Sequence, residues 1–198
     1  MCYVPFATSR FLPISRRSQT LWSLQLSPGR RESHIDLRRE ERREIAKQTR
    51  DGCSPLFLAC KHGNVRVAAL LITECDADIE QRGLYEVPED RSVHCVTPLW
   101  CASVSGNLGV VKLLIGFGAN INALSDTGST PVRSACYMTH VEIVQYLVER
   151  GADITKANYN GGTCLINSVQ SVALCMYLIS KGADVNARDI QDKTALWL

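Results

Sequence analysis

The sequence has neither a long apolar run nor an excess of charge of one sign. A membrane-spanning helix needs about 20 consecutive apolar residues, and no uninterrupted apolar run approaches that length. The 22 basic and 20 acidic residues leave a net charge of +2, so bulk electrostatics predicts neither a nucleic acid nor a membrane as a partner. We therefore expect a soluble protein that binds neither.

Signatures of catalysis and of metal binding are missing as well. The sequence contains no glycine-rich phosphate loop and no Gly-x-Ser-x-Gly elbow, the local patterns of nucleotide-binding enzymes and of many hydrolases. His94, Cys95 and Cys101 could contribute to a metal site, but no second Cys/His pair follows them at zinc spacing. We expect no catalytic residues, no metal and no cofactor, and hence a protein that is not an enzyme.

The nine cysteines favour an intracellular protein. They form an odd number and are spread along the chain, mostly at core-like helical positions, which favours reduced thiols over a disulfide framework. We expect a cytoplasmic protein that also has access to the nucleus.

The first 31 residues differ from the rest of the chain. They hold five arginines, three prolines and no acidic residue, which predicts a disordered basic tail. Mitochondrial transit peptides have a similar composition, although prolines interrupt their helix, so mitochondrial import is the alternative localisation. Residues 32–50 mix acidic and basic side chains densely, which predicts a charged helical flank or a degenerate first repeat.

The strongest pattern is a repeat. Thr97-Pro98, Thr130-Pro131 and Thr163-Cys164 begin similar segments 33 residues apart, and this spacing is the ankyrin period. A second mark, Gly-Ala followed by Asn or Asp, accompanies them at 118–120, 151–153 and 182–184. We predict an all-α fold, an ankyrin-repeat solenoid of stacked helix-turn-helix units. Such a stack offers an extended binding surface and no built-in catalytic pocket.

Each mark has a physical reason. Threonine accepts a hydrogen bond from an orphan backbone N–H at the start of a helix, and proline at the first helical position has no N–H to leave unpaired. Apolar runs that end near a glycine predict the second helix of each pair. We assign residues 51–198 to repeats at about 54–80, 97–122, 130–154 and 163–186, with a partial repeat from 194.

Two intervals depart from the period. Ser54 and Thr97 are 43 residues apart, and we place the extra residues in a loop between repeats. Thr163 and Thr194 are 31 residues apart, and Gln170-Ser171 stands where a glycine turn is expected. The shortened interval predicts imperfect packing of that repeat.

The long loop between the first two repeats carries the most distinctive side chains. Glu86, Glu89 and Asp90 lie close to Tyr85, and Trp100 follows on the next predicted helix. Carboxylates beside aromatic faces suit a cationic group, arginine above all, through charge-assisted hydrogen bonds and cation–π contacts. The same pattern is also typical of a solvated acidic loop that binds nothing.

Several segments together resemble the Fem-1 (feminization) family of ankyrin proteins. The resemblance is carried by a long second loop that closes on Pro-Leu-Trp, an Ala-Cys-aromatic step and a Thr-Cys-Leu step, within residues 54–64, 97–100, 135–137, 141–149 and 163–165. Members of this family are substrate receptors of cullin-2 RING ubiquitin ligases. Their N-terminal ankyrin stack binds the C-terminal tail of a target, a C-degron that often ends at or near arginine. The resemblance implies a substrate-recognition module in ubiquitin-dependent protein degradation.

The resemblance carries over to the peptide site incompletely. The family pocket takes one acid from the long loop and another from the position after the Ala-Cys-aromatic step. Here the second position is Met138, so a charge-assisted hydrogen bond worth about 1.5–3 kcal/mol is missing, and arginine preference is expected to change or disappear. The peptide-binding residues that we predict are Tyr85, Glu86, Glu89, Asp90, Trp100, Arg133, Tyr137 and Met138.

Two alternatives stand beside the receptor hypothesis: a generic ankyrin adaptor or scaffold, and a truncated inactive paralogue. Family members continue through further repeats and a cullin-docking box, so a cullin RING ligase is a predicted partner only of a longer chain. Target proteins, bound through their C-terminal peptides, are the predicted partners of this segment. The last repeat lacks the polar cap that solenoids usually need, which predicts marginal stability and aggregation.

Overall fold

The computed structural model describes residues 39–47, 52–87 and 91–197. The predicted tail at 1–31 lies outside these ranges, as do Glu89 and Asp90 of the predicted peptide site. The disordered tail and the contribution of these two acids to the peptide site stay predictions.

Helices dominate the described residues and stack in pairs, so the predicted helical solenoid is confirmed. The second helices contact one another from the first repeat to the third, and the first helices stack in the same way through the fourth. In chain order the elements are α1 (Arg39–Lys47), α2 (Pro55–Lys61), α3 (Val65–Cys75), β1 (Gly83–Glu86), β2 (Val93–Val96), α4 (Pro98–Val104), α5 (Leu108–Gly116), α6 (Pro131–Tyr137), α7 (Val141–Glu149), a 3-10 helix (Ile166–Ser168) and α8 (Val172–Ser180).

A capping hydroxyl begins the first helix of every repeat, as predicted. Ser54, Thr97, Thr130 and Thr163 each accept a hydrogen bond from the backbone N–H three residues later, at 3.2 to 3.3 Å. Proline follows the cap in α2, α4 and α6. These caps pair backbone donors that would otherwise lie unpaired at a buried helix end.

The second sequence mark forms a turn, and a further turn joins each repeat to the next. Asp78, Asn120, Asp153 and Asp184 each accept the N–H two residues later through a side-chain oxygen, at 2.8 to 3.1 Å. Beyond these turns, backbone N–H groups donate to the preceding repeat at 3.1 to 3.2 Å, in the pairs Asp126 to Cys95, Tyr159 to Thr127 and Ile190 to Asn160.

A continuous apolar core lies between the helices, from Ala46 in α1 to Leu178 in α8. The charged flank contributes Ala46 to this core. It also forms two ion pairs with the first repeat, Arg42 with Glu74 at 2.6 Å and Arg43 with Asp76 at 2.7 Å. Within the predicted flank, residues 39–47 form α1. No helix of the described residues is both long and apolar enough to cross a membrane.

The extra residues before α4 form a β-hairpin rather than the loop expected from the sequence. Strands β1 and β2 pair antiparallel, with Gly83 opposite Val96 and Glu86 opposite Val93. The hairpin lies against α2, because a Cβ at Gly83 would be 2.7 Å from the Phe57 ring. Hairpin and helices together bury a second, smaller cluster, made of Cys53, Phe57, Tyr85, Val96, Trp100, Cys101 and Val104.

Two repeat ends also differ from expectation. Helix α3 ends at Cys75 and is followed by Asp76, a left-handed residue with φ 51°, at the position where the other repeats have glycine. In the fourth repeat the first helix is reduced to the 3-10 helix, and Ser171 caps α8 at 3.4 Å. The missing glycine turn leaves too few residues for a full first helix in this repeat. Residues 194–197 form a turn.

Candidate functional site

Four side chains occupy equivalent positions on the first helices. We call Phe57, Trp100, Arg133 and Ile166 the recognition row; each lies three residues after its cap, and none belongs to the continuous core. Because the first helices lie side by side, the row crosses from one repeat to the next. Phe57, Trp100 and Ile166 are buried, and Arg133 is half-buried. The row holds aromatic, cationic and aliphatic side chains in turn.

The hairpin brings three of the predicted site residues together. The rings of Tyr85 and Trp100 meet edge to face, with centroids 5.7 Å apart and planes at 69°. Met138, the residue that follows α6, packs against the same second cluster. The resemblance expects an acid at position 138. The structure instead has an apolar contact there, and the flexible thioether side chain of Met138 is suited to such packing.

Trp100 carries an unsatisfied donor. The side chain is 5% exposed, and its Nε1–H has no hydrogen-bond partner among the described residues. A buried donor without an acceptor costs about 1–3 kcal/mol. Packing with Tyr85, rather than hydrogen bonding, holds this indole in place.

The predicted cation–π face of Tyr85 is occupied from within the chain. The Lys61 Nζ lies 5.2 Å from the centroid of that ring, and the Tyr85 side chain is buried. An arginine side chain of a ligand would meet a cation already in place, so the structure gives an arginine pocket less support than the sequence pattern did.

Glu86 is the one predicted acid that falls within the described residues, and it is exposed on β1. Arg133 and Tyr137 lie together on α6, four residues apart and hence on one face of the helix. Tyr137 is 56% exposed. The structure thus divides the described part of the predicted site into an apolar group under the hairpin and a polar group on α6.

The surroundings of Arg133 could not be read from its helix alone. Its Nε donates to the Gly162 carbonyl at 2.8 Å, and its Nη1 donates to Ser129 Oγ at 2.9 Å. Ser129 and Gly162 directly precede the caps of two successive repeats. Because Ser129 and Gly162 occupy the same position in the repeat, the repeat alignment is the sequence signal that points to them.

The other reactive side chains are held in structural contacts. The His140 ring Nε2 lies 3.1 Å from the Val104 carbonyl of the preceding repeat. Burial raises the pKa of the Cys60 thiol to about 12, so this sulfur stays protonated and unreactive at neutral pH. Within residues 39–47, 52–87 and 91–197, no three His, Cys, Asp or Glu side chains are grouped so that they could hold a metal ion.

Comparisons with known proteins agree with this architecture. A model of three ankyrin repeats matches residues 84–158, and a single ankyrin repeat model matches residues 51–84. The chain is 37% identical over 161 residues to the mouse protein fem-1 homolog A-like, covering 80% of this chain and 24% of the mouse protein. The sex-determining protein fem-1 of Caenorhabditis elegans is 39% identical over 117 residues, which cover 59% of this chain and 18% of the worm protein.

A Drosophila melanogaster fem-1 homolog is 40% identical over 80 residues, or 40% of this chain and 12% of the fly protein. The chain thus spans a quarter or less of the length of these relatives. The family models and these relatives together describe a protein-binding ankyrin module. The chain belongs to the Fem-1 family of ankyrin-repeat proteins.

Proposed function

We propose that this chain is a substrate-recognition module that binds the C-terminal peptide of target proteins for ubiquitin-dependent degradation. The observation that carries the proposal is the hairpin packed beside the recognition row, in a chain of the Fem-1 family. It brings Tyr85 and Trp100 into one cluster against which Met138 packs, and the resemblance puts the peptide pocket at the long second loop and at the position of Met138.

The ligand preference that we propose is not for arginine. Met138 contributes no charge, and Lys61 lies over the face of Tyr85. A cationic side chain entering here would gain one acidic contact fewer than the resemblance implies and would meet a like charge. An apolar residue near the peptide end fits the cluster better.

A cullin RING ligase belongs to the proposal as the partner of a longer polypeptide. The mouse relative is about four times as long as the matched segment, since that segment covers 24% of it. The module described here would supply target binding, and ligase recruitment would depend on elements outside it.

The test is a peptide-binding screen with the 198-residue chain immobilised. The library carries random sequences with free or amidated C-termini, and half of it ends in arginine. Selection of free C-termini without enrichment of arginine supports the proposal. Enrichment of terminal arginine would restore the family preference despite Met138. Binding that is indifferent to the terminus would instead support a generic ankyrin adaptor, the alternative favoured by Met138 and by the irregular fourth repeat.

A further inference from the structure

Arg133 is the one cation of the recognition row, whose other members are aromatic or aliphatic. Its side chain is half-buried, and burial lowers the pKa of its guanidinium. Burial of a charge is unfavourable unless an opposite charge or several hydrogen bonds compensate for it. The contacts of Arg133 therefore decide whether its charge is neutralised within the chain.

The hydrogen-bond contacts of Arg133 do not neutralise its charge. Both acceptors of Arg133, the Gly162 carbonyl and the Ser129 hydroxyl, are uncharged. Among the residues that the structure describes, no carboxylate forms an ion pair with this guanidinium, and Nη2 has no hydrogen-bond acceptor. Within the described part of the chain, Arg133 therefore keeps its positive charge and has N–H donors without an acceptor.

The guanidinium is also fixed in place. Its two hydrogen bonds come from residues on either side of it, and a Cβ on Gly162 would lie 2.8 Å from Nη2. A larger residue at 162 would displace the guanidinium. Donors that are held in position before binding lose less conformational freedom when a ligand arrives.

Two exposed tyrosines belong to the elements that hold this group. Tyr137 follows Arg133 by one helical turn and is 56% exposed, and Tyr159 is 71% exposed. Tyr159 belongs to the same turn as Gly162, which Asn158 closes with a 3.0 Å hydrogen bond to the Gly162 carbonyl. Rigid aromatic side chains beside an arginine are a common composition of binding hot spots.

We propose that Arg133 forms a carboxylate-binding subsite on the recognition row, between the third and fourth repeats. A planar guanidinium with free N–H groups binds a carboxylate by charge-assisted, bidentate hydrogen bonds. The ligand is a peptide that carries a carboxylate next to an apolar or aromatic residue. The carboxylate comes either from the free C-terminus or from an Asp or Glu side chain. The inference rests on the proposed peptide-binding function and names the group that this part of the site selects.

The experiment measures the dependence of affinity on the carboxylate within each protein variant. Peptides selected by the screen are made in four forms: with the free C-terminus or its amide, and with each Asp and Glu kept or replaced by Asn and Gln. The quantity compared is the ratio of affinities for the charged and neutral forms. Because both affinities come from the same variant, a smaller folded fraction cancels in the ratio.

The variants are Arg133→Gln and Arg133→Lys, with Arg150→Gln as the matched control, since Arg150 is exposed and contacts the ring of Tyr146. We expect a ratio of about tenfold or more in the wild type and the control, a ratio near one in Arg133→Gln, and an intermediate ratio in Arg133→Lys, which keeps the charge but not the planar fork. Whichever substitution removes the effect, at the terminus or at the acidic side chains, identifies the source of the carboxylate.

An unchanged ratio in Arg133→Gln would overturn the subsite while leaving the peptide-binding proposal in place. A wild-type ratio near one with measurable binding would overturn the subsite together with the preference for C-terminal peptides, and would support the generic adaptor. Failure of the chain to bind any peptide of the library would overturn both.

Discussion

At the scale of single residues, Thr139 has the least favourable backbone conformation in the turns that join paired helices. The first two repeats place Gly63 and Gly106 at this position, with φ of 69° and 76°, whereas Thr139 has φ 55°. A β-branched residue in the left-handed region costs about 1–2 kcal/mol. We expect Thr139→Gly to raise the free energy of unfolding by about 1 kcal/mol in urea denaturation, and Gly106→Thr to lower it. A loss of stability in Thr139→Gly would show that the threonine side chain stabilises the turn.

Trp100 is the second residue with a definite energetic signature. Its ring packs against Tyr85, but its buried N–H has no partner within the described ranges. Trp100→Phe removes the unsatisfied donor and keeps a ring, so we expect it to cost less than about 1.5 kcal/mol, whereas Trp100→Ala should cost about 3–5 kcal/mol. Equal losses in the two variants, measured by urea denaturation, would mean that the indole N–H is hydrogen-bonded in solution.

At the scale of elements, the turn that follows α7 holds a carboxylate in two hydrogen bonds to one residue. The Thr155 hydroxyl and N–H both donate to Asp153 Oδ1, at 2.7 and 2.9 Å, and these hydrogen bonds lower the pKa of the Asp153 carboxyl. The stabilisation is present above the unfolded pKa, about 3.9. It is lost as the pH falls through the lower folded pKa, because the unfolded state then binds the proton more readily.

Asp153→Asn keeps an acceptor oxygen in the turn but cannot titrate. We therefore expect the wild type to lose more stability than Asp153→Asn between about pH 5 and about pH 3, as measured by thermal unfolding. Asp184→Asn is the control, because Asp184 accepts a backbone N–H in the equivalent turn and Asn186 offers no hydroxyl there. Parallel acid dependence of the wild type and Asp153→Asn would contradict the prediction.

At the scale of the whole molecule, the last described helix presents an apolar surface. Val172, Met176 and Ile179 of α8 follow helical spacing and are 77%, 66% and 44% exposed. Contiguous exposed apolar surface promotes association. Replacing all three by Gln should reduce concentration-dependent self-association in sedimentation velocity experiments. The matched control replaces Val65, Leu70 and Val93, which are also exposed. Equal reduction in both variants would mean that the α8 face has no special role.

The sequence predicted the repeat architecture because its signals are local. Capping hydroxyls, helical periodicity and the turn residues at Asp153 and Asp184 act within a few positions of the chain. The hairpin was missed because its strands are four residues each, and pairing between them is a tertiary contact that no local period reveals. The surroundings of Arg133 could not be predicted for a similar reason, since the acceptors of its hydrogen bonds come from loops of two repeats. A list of candidate residues could therefore include Arg133, but its surroundings could not be derived.

The hydrogen bonds between successive turns have a consequence for how such a chain can change its length. Their donors and acceptors are main-chain atoms, in the pairs Asp126 to Cys95, Tyr159 to Thr127 and Ile190 to Asn160. Main-chain pairing does not depend on which side chains a repeat carries. A whole unit can be duplicated, deleted or exchanged by recombination while the junctions on both sides re-form. The surface side chains are then free to diverge from one copy to the next, so new recognition specificities can arise without a new fold.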